Sequence, residues 1–364
     1  MADTVGFGII GAGRVAQELA ADLGGVEGAR LVAVTSRTGV SAERVAARAG
    51  GARVHPNVEA LLADPEVDVV YVATPHHLHA AQANAALRAG KAVLCEKPFT
   101  LDGAQAREVV ETARRAQVFC MEAMWMRFIP AVQRAVELVN AGAIGEPMIL
   151  HADFGVPTGG PTDSRFYDPR QGGGALLDRG VYAVSLATML FGRPTDVTAT
   201  AAISEQGVDT HLGAVLRFDD RLAVMSCSLD ALTANTAVVG GTEGTITLHA
   251  PFFCTNRVSV HRFRVAAPVD TTNEATARSR RELLERARAS RAGQFARRFA
   301  RPVVNRLRRR DERFPLRGHG YGYEVAEVIA CLRAGRPESP RMPLDDTILV
   351  MDVLDHIRDE VGAP

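Results

Sequence analysis

The sequence predicts an α/β protein with an N-terminal Rossmann domain, a doubly wound parallel sheet, and a C-terminal α+β domain with a large, mostly antiparallel sheet. Up to about residue 122, short apolar segments alternate with helical segments, which is typical of a parallel sheet covered on both faces. Beyond that point, strand-like segments follow one another with turn signals between most of them. The 364 residues are enough for two domains, which we place at residues 1–122 and 123–364.

The elements of the first half follow in order along the chain. Strands are predicted at 5–10, 31–35, 67–73 and 92–95, and helices at 14–23, 41–49, 79–89 and 101–116. The strands are almost continuously apolar, as expected when both faces of a sheet are buried. Ser41 is placed to cap the second helix and Gly90 to end the third.

The second half contains more strands than helices. Strands are predicted at 148–154, 197–202, 212–218, 222–229, 234–239, 244–248 and 257–263, and helices at 174–190, 322–334 and 344–361. An arginine-rich stretch at about 278–313 interrupts this pattern. We expect it to be a mobile or loosely helical accessory segment, because burying many unpaired arginines is prohibitive. Its apolar side also permits docking on an acidic partner, on membrane headgroups or over a substrate cleft.

Charge and cysteine content exclude several classes of protein. Lys+Arg and Asp+Glu are balanced at 42 each, so no overall field favours nucleic acid or an acidic membrane. Five scattered cysteines without a C-x-x-C motif indicate reduced, packed thiols in a cytoplasmic protein. The N-terminus has no basic region before its first strand, so we expect no signal peptide, and no apolar run indicates a transmembrane segment.

A glycine motif between the first strand and the first helix predicts a dinucleotide site. Residues 11–16 match G-x-G-x-x-A, in which Gly11 and Gly13 allow a tight turn and close approach of a pyrophosphate. Arg14 and Val15 begin the helix, whose N-terminus offers N–H groups and a favourable dipole. We assign these four residues to the cofactor; the alternative is a merely glycine-rich turn.

The end of the second strand decides the predicted cofactor. An NAD site usually has an acid about 20 residues beyond the glycine motif, but this strand ends in Ser36 and Arg37. A hydroxyl and a guanidinium suit the 2′-phosphate of NADP(H). We therefore predict NADP(H) rather than NAD(H), with an exposed loop arginine as the alternative.

The loop after the third core strand is predicted to line the ligand crevice. We assign Thr74, Pro75 and His79 to the cofactor side and His76 to the substrate side, with a capping or packing role as the alternative for His79. Three histidines within residues 76–79 also suggest metal, but no acid or cysteine accompanies them at a zinc-like spacing. We therefore predict no metal site.

Two further motifs carry candidate catalytic groups. Glu96 and Lys97 precede a proline that stiffens the backbone, as a positioned proton donor requires. Asp178 and Tyr182 are four residues apart in a predicted helix and share one face. We expect the Lys97 ammonium to lower the pKa of the Tyr182 phenol. Glu96 and Lys97 are also assigned to cofactor binding.

These motifs, in this order, resemble the glucose–fructose oxidoreductase/inositol dehydrogenase/MocA family over nearly the whole chain. Residues 121–128 and 320–325 are most similar to the dimeric dihydrodiol dehydrogenase branch, which acts on trans-dihydrodiols and sugars. The resemblance implies NADP, a catalytic Tyr182, proton transfer assisted by Lys97, and substrate orientation by Asp178. Trp125 and Arg127 are expected on the substrate side, with Trp125 as a sugar-stacking surface.

The sequence thus predicts an NADP(H)-dependent oxidoreductase acting on a carbohydrate-like or dihydrodiol alcohol or carbonyl. We expect a homodimer or larger homo-oligomer, assembled through the uncovered face of the second sheet. Two alternatives stay open. One is a glycosidase that works by transient oxidation, and the other is a non-catalytic NADP-binding regulator.

Overall fold

The computed structural model describes residues 4–159, 164–263 and 309–362. The N-terminal domain is built on a six-stranded parallel sheet with the strand order β3-β2-β1-β4-β5-β6. Its strands are β1 (Val5–Ile10), β2 (Ala29–Thr35), β3 (Arg53–Val54), β4 (Val69–Val72), β5 (Ala92–Glu96) and β6 (Cys120–Ala123). This is the predicted doubly wound Rossmann arrangement, and the prediction is confirmed.

Five helices connect these strands and cover the sheet. They are α1 (Arg14–Leu23), α2 (Gly39–Arg48), α3 (Val58–Leu62), α4 (His79–Arg88) and α5 (Gly103–Ala116). Strands β1 and β4 are buried along their whole length, which explains their continuous apolar sequence. The direction of winding reverses between β1 and β4, so the loops after these two strands border a crevice where parallel sheets bind ligands.

The C-terminal domain contains an eight-stranded sheet with the order β14-β13-β12-β11-β7-β10-β9-β8. Neighbouring strands are antiparallel except β7 and β10, which are parallel. The strands are β7 (Pro147–Gly155), β8 (Asp196–Ile203), β9 (Asp209–Phe218), β10 (Arg221–Ser228), β11 (Ala237–Gly241), β12 (Gly244–Leu248), β13 (Arg257–Arg262) and β14 (Arg309–Arg313). The predicted large, mostly antiparallel sheet is confirmed.

The arginine-rich stretch is described only at its end. Residues 278–308, on which most of that prediction rests, lie outside the described residues. The final five, Arg309–Arg313, form the edge strand β14 paired with β13, so the expectation of a mobile or loosely helical segment is wrong for them. Arg257 and Asp311 form an ion pair across the two strands, which neutralises charge at this edge.

Four helices lie in the described part of the second half of the chain. They are α6 (Pro130–Asn140), α7 (Val181–Phe191), α8 (Gly322–Arg333) and α9 (Leu344–Val361). The sequence interpretation omitted α6, although Pro130 at its first turn is a known helix-start signal. The segment Pro169–Phe191 is long and apolar enough to cross a membrane, yet 78% of its most apolar window is buried inside the fold.

The C-terminal helices return to the N-terminal domain. Helix α9 packs on α5 and β6, and its Asp355 accepts a hydrogen bond of 2.7 Å from the backbone N–H of Gly103. Arg114 on α5 pairs with Asp345 at 2.8 Å. Strand β6 extends to Ala123, one residue beyond the boundary placed at 122. Residues from the end of the chain thus form part of the packing around the N-terminal domain.

Candidate active site

The turn between β1 and α1 has the shape required to receive a pyrophosphate. Gly11 has a φ of +109°, and a Cβ there would lie 2.4 Å from the carbonyl oxygen of Ala73. Gly13 is extended, and a Cβ on it would meet nothing within 4 Å. The chain itself thus leaves open the space in front of α1, whose N-terminus has no side-chain cap. Arg14 is exposed and Val15 half-buried beside this space, and the arrangement fits a dinucleotide.

The end of β2 presents positive charge without an acid. Arg37 is exposed, while the hydroxyl of Ser36 donates to the carbonyl of Thr38 at 2.7 Å. Helix α2 begins at Gly39 with Thr38 as its N-cap residue, so the predicted cap at Ser41 is wrong. A helix N-terminus directly after Arg37 adds to the field that favours an anion.

His79 connects two loops of the site. Its Nδ1 lies 2.9 Å from the carbonyl oxygen of Pro98, and its Nε2 lies 2.8 Å from that of Thr74. The side chain has no exposed surface, and burial lowers the pKa of its imidazole. His79 therefore holds the loop after β4 against the loop after β5, and this geometry does not favour the direct cofactor contact that we assigned to it. Thr74 and Pro75 lie on the first of these loops, both half-buried.

His76 is buried on the other side of the same loop. Its Nδ1 donates to the carbonyl oxygen of Gly172 at 2.9 Å, which leaves Nε2 as an acceptor 3.3 Å from the Arg165 guanidinium. Burial, with His79 and Arg165 nearby, lowers the pKa of His76 well below its usual value, so the ring is neutral. Among the described residues, no group of three metal-ligating side chains is placed to hold a metal ion.

The structure brings Lys97, Asp178 and Tyr182 together. The Lys97 ammonium donates to the backbone carbonyl of Asp178 at 2.8 Å and lies 3.6 Å from its carboxylate. It also lies 4.8 Å from the centre of the Tyr182 ring. The backbone N–H of Lys97 donates to the Glu96 carboxyl group, which also accepts from the Tyr71 hydroxyl. Glu96 thus supports the loop that carries Lys97.

Asp178 lies in a π-helical turn, Leu176–Gly180, that precedes α7 in place of the predicted continuous helix. Such turns are frequent at functional sites. Burial would raise the pKa of Asp178, but Lys97 and two arginines hold it at about 2. These are Arg165 and Arg179, each 3.7 Å from the carboxylate. Sequence reasoning missed both, although Arg179 directly follows Asp178.

Tyr182 is surrounded by aromatic side chains. Its ring stacks on Phe253 at 4.9 Å and lies 5.8 Å from Phe154, and its oxygen accepts from the Trp125 indole N–H at 2.8 Å. Burial, with Tyr321 nearby, raises the pKa of the phenol well above 10. The expected lowering by Lys97 is therefore wrong: the ammonium lies over the ring face, and desolvation outweighs it.

Trp125 and Arg127 lie on one short helical turn, Trp125–Phe128, but they point in different directions. The Trp125 ring stacks on Tyr321 with centroids 4.8 Å apart, so one face is covered by the protein itself. Arg127 is 1% exposed and donates to Ser185 at 3.0 Å and to Asp346 at 2.5 Å. The prediction that Arg127 faces the substrate does not fit, because its guanidinium joins α7 to α9.

Three aromatic residues of the site were missed from the sequence. Phe154 is next to the last residue of β7, Phe253 lies in a short turn after β12, and Tyr321 precedes α8. A strand-end phenylalanine and the Phe252-Phe253 pair are weak signals, because aromatic residues fill ordinary cores as well. Only the fold brings Phe154 and Phe253 to the Tyr182 ring and Tyr321 to the Trp125 ring.

Comparisons with known proteins agree with the family that the sequence motifs resemble. A model described as "Oxidoreductase family, NAD-binding Rossmann fold" matches residues 5–124, and one for the "GFO/IDH/MocA C-terminal domain" matches residues 132–247. The chain is 32% identical to the trans-1,2-dihydrobenzene-1,2-diol dehydrogenase of Danio rerio over 98% of this chain and 97% of that protein.

Solved structures share the fold over nearly their full length. One is KijD10, a 3-ketoreductase from Actinomadura kijaniata in complex with NADP and TDP-benzene, with a TM-score of 0.77, 24% identity, and coverage of 99% of this chain and 98% of that one. Another is the aldose-aldose oxidoreductase from Caulobacter crescentus complexed with glycerol, with a TM-score of 0.78, 22% identity and the same coverage.

Proposed function

The chain belongs to the glucose–fructose oxidoreductase/inositol dehydrogenase/MocA family, and on this premise we propose that it is an NADP(H)-dependent oxidoreductase of sugar-like or dihydrodiol substrates. As a member of this family it is an NAD(P)-dependent dehydrogenase acting on CH–OH groups. The observation that carries the finer proposal is the convergence of Asp178 and Tyr182 on Lys97. Lys97 follows β5 at the same edge of the parallel sheet at which the open turn at Gly13 follows β1.

The bound nicotinamide would supply the hydride in reduction and accept it in oxidation. In reduction, the Tyr182 hydroxyl donates its proton to the carbonyl oxygen of the substrate, which becomes the product hydroxyl. A phenol with a raised pKa is protonated at neutral pH and is ready for this step. The Lys97 ammonium, 4.8 Å from the ring centre, stabilises the phenolate that remains. Oxidation reverses these transfers.

The walls of the site suit a substrate with both polar and apolar faces. Phe154 and Phe253 stack on each other at 4.4 Å beside Tyr182 and offer an apolar surface. Asp178 is ionised throughout the physiological range, because its pKa is held at about 2. We assign its carboxylate to accept a hydrogen bond from a second substrate hydroxyl. An alcohol with a neighbouring hydroxyl, as in sugars and dihydrodiols, matches this arrangement.

The NADP(H) preference is supported by the end of β2. Residues 36–38 contain no acid, and Arg37 is exposed directly before the N-terminus of α2. An acid in this position would repel a 2′-phosphate, whereas a guanidinium and a helix N-terminus attract it. The NADP named in the KijD10 complex is consistent with the same choice.

We further propose a cytoplasmic homodimer or larger homo-oligomer. The outward face of the second sheet is apolar where Val215 pairs with Val224 and Ile149 pairs with Leu222. Val215 and Leu222 are 39% and 36% exposed, which supports cover by a second copy. All five cysteines are free thiols and four are buried, as expected of a protein in a reducing compartment.

The proposal is tested by NADPH oxidation with a panel of aldoses, keto-inositols and diketones, and by NADP reduction with dihydrodiols. With a substrate found, Tyr182→Phe and Lys97→Ala should each lower kcat by about 10²–10⁴-fold while NADPH binding persists. Tyr323→Phe is the matched control, because the Tyr323 hydroxyl contacts the backbone of Arg317 instead. Wild-type turnover of Tyr182→Phe, with chemistry rate-limiting, would overturn the assignment.

A further inference from the structure

We propose that Trp125 is a positioning residue for Tyr182. Its indole N–H fixes the phenol oxygen and stabilises the negative charge that appears there when the proton leaves. The inference rests on the proposed proton-transfer role of Tyr182. It replaces the sugar-stacking role that the sequence suggested for Trp125.

The central contact is the hydrogen bond of 2.8 Å from Trp125 Nε1 to the Tyr182 hydroxyl oxygen. The two side chains are 7% and 4% exposed, so water does not compete freely for the bond. Because an indole N–H can only donate, Tyr182 must use a lone pair to accept it. The Tyr182 proton then points away from the indole, and in the described part of the chain the Tyr182 hydroxyl donates no hydrogen bond. That proton remains available to a substrate oxygen.

The indole is held in position by its neighbours. Tyr321 stacks on it at 4.8 Å with an interplanar angle of 19°, and Phe253 meets it edge-on at 6.0 Å. The backbone N–H of Tyr321 is in turn held by the Asp22 carboxylate at 3.0 Å. A ring packed in this way cannot rotate its N–H away from Tyr182 without displacing Tyr321.

The same helical turn also grips the helix that carries Tyr182. Arg127 donates to the Ser185 hydroxyl at 3.0 Å, and Ser185 lies one turn beyond Tyr182 on α7. Arg127 is anchored in addition to Asp346 on α9 at 2.5 Å. Trp125 therefore holds the phenol oxygen, and Arg127 holds the helix that carries Tyr182. Together they fix the distance between the indole N–H and the Tyr182 oxygen.

Charged and titratable groups face Tyr182 from several elements. Burial is the main force against a phenolate, and Tyr321, Glu96 and Asp178 oppose it further. The Trp125 hydrogen bond acts in the opposite direction, and the Lys97 ammonium lies over the ring. Of these favourable contacts, only the indole N–H touches the oxygen where the charge develops. Its removal should therefore act on proton transfer more than on substrate binding.

The chain offers an unusually clean test, because Trp125 is its only tryptophan. Biosynthetic replacement of tryptophan by 3-benzothienyl-alanine exchanges the N–H for sulfur at this one site and keeps the ring shape. We expect kcat for alcohol oxidation with NADP to fall about 10-fold or more, and the pH profile to move upward by about one unit, with KM changed less than about two-fold. Replacement by 4-fluorotryptophan, which keeps the N–H, is the control and should retain the profile.

A second measurement needs neither cofactor nor substrate. Indole ¹⁵N labelling gives a single N–H signal, which reports the bond to Tyr182 directly. Tyr182→Phe should shift this signal and accelerate its exchange with solvent, whereas Tyr323→Phe should not. An unchanged signal in Tyr182→Phe would overturn the contact. An unchanged pH profile with a raised KM in the benzothienyl protein would overturn the positioning role and return Trp125 to substrate stacking.

Different outcomes separate the proton-transfer role of Tyr182 from the positioning role of Trp125. If Tyr182→Phe retains turnover but still shifts the indole signal, the proposed proton-transfer role of Tyr182 fails, although the contact exists. If Tyr182→Phe abolishes turnover and the benzothienyl protein matches the wild type in kcat and pH profile, the proposed function stands and the role of Trp125 is refuted.

Discussion

Asp178→Asn should weaken the folded structure as well as the reaction. The substitution keeps the size of the side chain but removes a charge that lies within 3.7 Å of Lys97, Arg165 and Arg179. The pKa of Asp178 is lowered from 3.8 to about 2. At 1.36 kcal/mol per pKa unit, this shift corresponds to about 2.5 kcal/mol of stability, without strong solvent screening because the side chain is only 17% exposed.

The sign of the pH dependence follows from the lowered pKa. A carboxyl group whose pKa is depressed by folding stabilises the protein above its unfolded pKa and loses that effect as pH falls through the folded value. The difference between wild type and Asp178→Asn should therefore be the same at about pH 7 and about pH 5, and should shrink between about pH 4 and pH 2. Urea unfolding followed by Trp125 fluorescence measures it, since this buried indole reports on the site itself.

Asp196→Asn provides the matched control. Asp196 also pairs with an arginine, Arg217, at 3.7 Å, but its side chain is 56% exposed. Exposed pairs of this kind contribute about 0–1 kcal/mol. If Asp178→Asn unfolds with the same midpoint and slope as Asp196→Asn, the Asp178 carboxylate stabilises the fold no more than an exposed one does. The account of its lowered pKa is then refuted.

Three further outcomes are expected from other parts of the molecule. Arg37→Ala should weaken NADPH binding by about 10-fold or more and leave NADH binding nearly unchanged, because one charge-assisted phosphate contact is lost. Titration of both cofactors measures this, with the exposed Arg44→Ala as control, and an equal loss for both would contradict the assignment. Burial raises the pKa of Glu122 to about 7, so this acid stabilises the fold at low pH and loses that effect as pH rises through about 7. The stability of Glu122→Gln relative to the wild type should therefore rise from about pH 5 to about pH 8. Urea unfolding measures this, and an equal difference between the two proteins at both pH values would contradict it. Val224→Arg, which places a charge on the outward face of β10, should shift the sedimentation coefficient to that of a monomer. An unchanged coefficient would contradict assembly through this face.

Local sequence determined much of the fold. Strands β1 and β12 and helix α9 begin and end at the predicted residues, because apolar runs there are bounded by glycine, proline or polar residues. The edge strand β14 had no such signal. Its five charged residues are a strand only because β13, nearly fifty residues earlier, offers a partner edge.

Some residues of the candidate site could be predicted from the sequence, and others could not. Lys97 could be placed in the crevice in advance, because the loops at the carboxyl ends of parallel strands meet there. Asp178 and Tyr182 were joined to it by their i, i+4 spacing and by the resemblance to the family. The partner of Arg127 is Asp346, 219 residues further along the chain, and local pattern carries no information about such a contact. Similarly, the pKa of Tyr182 depends on how many rings surround it, which only the packed structure determines.

The return of the last helices onto the first domain has a consequence for synthesis on the ribosome. Helix α5 is complete by residue 116, but the helix that covers it, α9, begins at Leu344. Helix α4 packs on one side of α5 from the start, but until α9 emerges the side of α5 that faces it has no cover. Gly103 and Arg107 also lack their partners Asp355 and Asp352 until then. The nascent nucleotide-binding domain thus cannot reach its final packing first. Folding is completed only when the chain is nearly finished, and chaperone binding during elongation should concentrate on α5.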